Sequence, residues 1–117
     1  MPPNTAGLQA MRDLLALLPA ATRSSMVAMY RESLDQQLQL VADGLAGRAG
    51  AEVLRGALHK LAGAAGMMQD QPLSAAAREL DDAMQAGAAR RVPGLHAQLL
   101  ARSDTTREVL LQVEAAG

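Results

Sequence analysis

Along the chain, apolar residues return in alternating steps of three and four, the spacing of helices that bury one face. The first such run is Leu8, Met11, Leu14, Leu15 and Leu18; Asn4 or Thr5 can cap its start and Pro19 stops it. It reads as a short lid over the rest. A longer stripe, Val27, Tyr30, Leu34, Leu38, Val41 and Leu45, predicts a helix that starts at Thr22, Ser24 or Ser25 and ends near Gly44 and Gly47. The third stripe, Leu54, Leu58, Leu61, Ala65 and Met68, belongs to a helix from around Ala51 to Gln69 or Asp70. Pro72 opens a fourth, because proline lacks the amide donor that a first turn leaves unused. Its buried face is Leu73, Ala76, Ala77, Leu80, Ala83 and Met84, and Gly87 supplies the stop. After a joint at Arg90, Arg91, Pro93 and Gly94, the last helix has a less regular edge of Leu95, Leu99, Thr106, Val109 or Leu110, and Val113. The connections are short, so neighbouring helices should run antiparallel. The expectation is all-α: an up-down-up-down four-helix bundle with an additional short N-terminal helix, residues 1–117 forming one domain.

Composition narrows the core and the partners. Half of the 117 residues are hydrophobic, yet there is no Phe or Trp and a single Tyr, so the core must be built from Leu, Ala, Val and Met. Strand-preferring residues are scarce and good helix formers abound. A net charge of −1, without a basic block or aromatics for base stacking, gives nucleic-acid binding no support. No apolar run is long enough to cross a bilayer, and no secretion leader is visible at the N-terminus. The lack of cysteine suits a cytoplasmic setting.

The third helix carries a feature that packing does not explain. On its wheel His59 points roughly 140° from the centre of the leucine stripe, towards solvent, among Glu52, Arg55, Gly56, Gly63 and Gly66. Glycine within a helix costs about 1 kcal/mol relative to alanine, and no turn accounts for Gly63 or Gly66. Both lie beside the histidine and away from the stripe, so close helix packing explains them poorly. Their missing side chains leave a bare patch through which another protein's backbone or a tetrahedral anion can approach the imidazole. Met67 lies near the exposed side, where a polarizable side chain suits a reusable contact surface, although a partly covered surface methionine is the plainer reading. His96, beside Pro93 and Gly94, reads as structural or merely exposed. Glycine loops for nucleotides and a His-Glu-x-x-His pair are absent, and two isolated histidines without cysteine make a poor zinc site. Asp81 and Asp82, adjacent and therefore divergent on a helix, read as a solvated face.

His59-Lys60-Leu61-Ala62-Gly63, followed by Ala64-Ala65-Gly66, resembles the His-x-Leu-Lys-Gly signature of histidine phosphotransfer (HPt) domains. Those are helical bundles that carry a phosphoryl group between receiver aspartates. The resemblance is tightest from Ala57 to Gly66 and looser to Gly87, through Arg78-Glu79-Leu80-Asp81 and Ala86-Gly87. It implies that His59 is the phosphoacceptor, attacking through its outer ring nitrogen. It also implies that no cofactor belongs to this chain, the Mg2+ and the acidic pocket being the partner receiver's. Imidazole suits this chemistry. Titrating at about pH 6.5 in ordinary peptides, it offers a neutral nucleophilic nitrogen at cytoplasmic pH, and the phosphoramidate it forms is itself reactive. The family commonly has lysine three residues after the histidine, where this chain has Ala62. Arg55, about 40° round the wheel from His59, and Lys60, the only lysine in the chain and about 100° round, are the candidates to hold the phosphoryl charge instead. From the fourth helix Arg78, Asp81, Asp82 and Gln85 can reach the site, and a hydrogen bond from one of them to the inner ring nitrogen would fix the tautomer.

The expected protein accepts a phosphoryl group on His59 from a receiver-domain aspartate, of a response regulator or a hybrid sensor histidine kinase, and passes it to another receiver in a two-component phosphorelay. Arg55, Lys60, Ala62, Gly63, Gly66 and Met67 are expected to stabilise the phosphate or touch the receiver. The carrier should lack ATP binding and autokinase activity, and should be monomeric, cytoplasmic and free-standing rather than excised from a hybrid kinase, with neither nucleic acid nor membrane as partner. A protein of another class would use the same face: a non-transferring helical adaptor that docks on a receiver or sensor kinase and regulates it. Ala62 is the argument for it.

Overall fold

The computed structural model describes residues 6–116, all helices and turns. A 3-10 turn, Ala6–Leu8, leads into α1 (Gln9–Ala16). Then come α2 (Ala20–Leu45), α3 (Ala51–Met67), α4 (Gln71–Gln85), a second 3-10 turn (Ala89–Arg91) and α5 (Val92–Ala116). Helix α2 packs on α3, α3 on α4 and α4 on α5, while α5 closes back on α2. The four enclose one core, to which the apolar stripes contribute as their spacing requires. Val27, Tyr30, Leu34, Leu38 and Val41 of α2 are buried, as are Leu54, Leu58, Leu61 and Ala65 of α3 and Leu73, Ala76, Ala77, Leu80 and Ala83 of α4. From α5 come Leu99, Thr106, Val109 and Leu110. The N-terminal segment is indeed a lid: Leu8, Met11 and Leu15 are buried, the 3-10 turn lies on α4, and α1 lies on α5.

Several helix ends differ from the sequence expectation, each for a local reason. Helix α2 starts at Ala20, directly after Pro19, and no side chain caps it. Arg23 secures the corner instead, donating from Nε to the Leu15 carbonyl and from Nη2 to the Leu18 carbonyl, both at 2.9 Å. Gly44 lies inside α2 because the helix needs close approach there: a Cβ would stand 2.6 Å from the Leu54 Cβ on α3. The reversal falls to Gly47, at φ +79°. Helix α3 stops at Met67, earlier than Gln69 or Asp70, because Gln69 turns left-handed (φ 61°) and the Asp70 amide donates to the Ala65 carbonyl at 2.7 Å. Pro72 occupies the first turn of α4. Helix α5 begins at Val92, so Pro93 and Gly94 are its first turn and not a joint. The proposed caps Asn4 and Thr5 fall outside the described residues.

Asp70, read from the sequence as a helix end, is a fully buried cross-link. Its Oδ2 accepts from the Tyr30 hydroxyl of α2 at 2.7 Å and from the Thr106 hydroxyl of α5 at 2.6 Å, while Oδ1 accepts from the Leu73 amide at 3.4 Å and so caps α4. Burial pushes the carboxyl above the usual carboxylate range, outweighing the donors that pull it down. Burial and the neighbouring Asp70 charge push the Tyr30 hydroxyl far upward, so it remains a donor.

Candidate functional site

Helices α3 and α4 are joined behind the site by the buried Ser74 hydroxyl, which donates to the Ala62 carbonyl at 3.0 Å. In front of this contact the two helices part to form an open cleft of about 390 Å³. Buried Leu58, Ala62 and Ala77 form its floor, and His59, Gly63, Arg78, Asp81 and Asp82 form its rim. The side chain of His59 is 60% exposed, with Nε2 3.2 Å from Asp81 Oδ2. Asp81 is mostly covered and also accepts from Gln85 Nε2 at 3.4 Å. An ionised carboxylate only accepts, so Nε2 carries a proton in this contact.

Asp81 and Asp82 are therefore not the simple solvated face expected of them: both line the cleft, and Asp81 touches the histidine. Nor is it the inner ring nitrogen that meets a carboxylate. The outer one, Nε2, does so, because α4 rises beside the exposed tip of the ring.

The other residues singled out from the sequence separate into groups. Gly63 lines the cleft, and a Cβ there, as at Gly56, would meet nothing within 4 Å. At Gly66 the nearest atom would be Ser74 Oγ at 4.0 Å. None of these glycines is demanded by packing, in contrast with Gly44. Ala62 is 8% exposed and lies in the floor of the cleft. Arg55 and Lys60 are exposed but outside the cleft lining. Helix α4 lies on the side of α3 marked by Leu58 and Ala62, and Lys60 projects to the other side. Met67, 81% exposed, belongs to a separate apolar groove of about 280 Å³ between α2 and α3, with Met26, Met29, Tyr30, Ala64 and Met68. His96 is half-buried at the start of α5, away from the cleft, and its Nε2 has no hydrogen-bond partner among the described residues.

Arg78 was legible in the sequence as one of four α4 residues able to reach the site, without being set apart from Asp81, Asp82 and Gln85. Its signal was present: Arg78, Asp81 and Asp82 sit at i, i+3 and i+4, one polar edge beside the buried Ala77 and Leu80.

The geometry is that of a helical bundle presenting an uncrowded imidazole on its side, over a shallow open cleft. A family model described as Hpt domain matches residues 25–116, from α2 to the end of α5, and the chain belongs to the Hpt domain family. Membership places it in phosphorelay histidine phosphotransfer, as a phosphoryl carrier rather than a catalyst. No curated protein and no solved structure matches the chain. Among the described residues no helix is long and apolar enough to cross a membrane.

Proposed function

We propose that His59 is the phosphoacceptor of a relay between receiver domains. The observation that carries this reading is the exposed imidazole on a glycine-cleared helical face, in a chain of this family. In the reactive form the ring proton resides on Nδ1, and the Nε2 lone pair attacks the phosphorus of a receiver's aspartyl phosphate. The P–N bond forms as the P–O bond breaks, and the electron pair leaves with the aspartate carboxylate. Return transfer to a second receiver reverses these changes, with Mg2+ supplied in each case by the receiver. Asp81 accepts from Nε2 only in the resting form, since the attacking nitrogen carries no proton.

Gly63 and Gly66 clear the approach, and the methionine groove around Met67, on the α2 side of His59, gives a receiver or the receiver of a hybrid kinase an apolar surface to rest on. Helices α2 to α5 form an up-down-up-down antiparallel bundle in this reading, supported by the short connections 46–50, 68–70 and 86–91. The chain works as a cytoplasmic monomer without ATP binding or autokinase activity.

The test is transfer from a panel of phosphorylated receiver domains, with mass spectrometry locating acid-labile phosphate beside a His59→Gln variant. Label on His59 that the variant loses is the expected result. Binding to a receiver without label would instead establish the regulatory adaptor, which Ala62 in the family's lysine position favours.

A further inference from the structure

We infer that Arg78, projecting from α4, holds the phosphoryl group on His59 and so replaces from the neighbouring helix the lysine that Ala62 does not provide. This inference rests on the assignment of His59 as phosphoacceptor. A phosphoryl group adds about −1.5 to −2 of charge at neutral pH, and it would be added to a cleft already lined by Asp81 and Asp82. Arg78 is the single permanent cation among the described residues of that lining. Without it, every charge facing the phosphohistidine from the cleft would be negative.

Position and freedom both suit the role. Asp81 reaches His59 Nε2 at 3.2 Å, and Arg78 precedes Asp81 by three residues, so the two are neighbours on one face of α4. The carboxylate that touches the reacting nitrogen therefore marks where the arm of Arg78 can reach. The guanidinium is exposed and forms no ion pair or hydrogen bond with another described residue, including the nearby Asp81 and Asp82, whereas Arg23, Arg31, Arg48 and Arg107 are each engaged elsewhere. Its planar fork can donate two parallel N–H bonds to phosphoryl oxygens, which a single ammonium point charge cannot do. Arg55 and Lys60 lie outside the cleft.

The experiment needs no cognate receiver. Wild type, Arg78→Ala and the double variant Ala62→Lys/Arg78→Ala are equilibrated with phosphoramidate and free imidazole. The ratio of phosphorylated His59 to N-phosphoimidazole is then read by intact mass and 31P NMR, and circular dichroism confirms equal folding. The expected result is a fall of roughly tenfold in that ratio for Arg78→Ala, about 1.4 kcal/mol, with a displaced 31P resonance, and recovery of most of the loss in the double variant. A ratio unchanged within twofold in Arg78→Ala overturns the role of Arg78. A loss that Ala62→Lys does not restore overturns the claim that Arg78 replaces that lysine. Failure of the wild type to be labelled on His59 would remove the phosphoacceptor assignment itself, a result distinct from either.

Discussion

Two aspartates, both on or beside α4, are put to opposite uses by their surroundings. Asp81 sits at the cleft edge, and the His59 ring it touches is largely open to water, so the pair contributes little, about 0–1 kcal/mol. It nevertheless holds the proton on the nitrogen that must be bare to attack, and it adds negative charge beside the incoming phosphoryl group. Asp81→Asn should therefore raise the phosphorylated fraction of His59 at equilibrium with a donor, by about two- to fivefold, as read by intact mass. A fall would show that the carboxylate assists the transfer. Asp70 is buried, and its folded carboxyl retains its proton to higher pH than the reference value of 3.8. The folded state thus binds more protons than the unfolded state between those two values. This contribution to stability is fully present below the unfolded value and is lost as the pH rises through the folded one. Urea melts across that window should show wild-type stability declining as pH rises, and Asp70→Asn should remove that part of the slope.

Glycines in the helices were legible as anomalies, but only the packing separates their causes. Gly44 is where α2 touches α3, and an added methyl would meet Leu54, so Gly44→Ala should destabilise by about 1–3 kcal/mol. Gly63→Ala places its methyl in open space and should stabilise by about 0.5–1 kcal/mol. The same substitution should slow receiver-dependent labelling of His59, because the cleared approach is partly filled. Thermal melts and transfer rates on the two variants check both statements. The stripes of α2, α3 and α4 were readable because each element's burial follows from its own periodicity. Helix ends were less so: the start of α2 depends on Arg23 reaching carbonyls of the preceding turn, and the end of α3 on a left-handed Gln69 that no glycine announces. The contact of Asp81 with His59 was illegible for a further reason. It depends on the register of α4 against α3, which neither helix encodes alone.

At the scale of the molecule, the polar links between helices among the described residues are unevenly placed. Arg107 pairs with Asp35 at 2.6 Å and Arg31 with Glu114 at 3.3 Å, tying α2 to α5 along their exposed flank. The cross-links of α3 are lighter: the Ser74 hydroxyl on the Ala62 carbonyl and the exposed contact of His59 with Asp81. The family match begins at residue 25, so α1 lies outside the matched residues; it covers part of the core and does not line the cleft. The position of Asp70 has a consequence for how the protein opens. One carboxylate serves α2, α4 and α5 together, so releasing any of the three strands buried hydroxyls or the carboxylate itself without partners. Native-state hydrogen exchange should accordingly find core amides of these three helices exchanging through a single shared opening. The histidine would then be carried on a helix packed between two members of a frame that opens only as a unit.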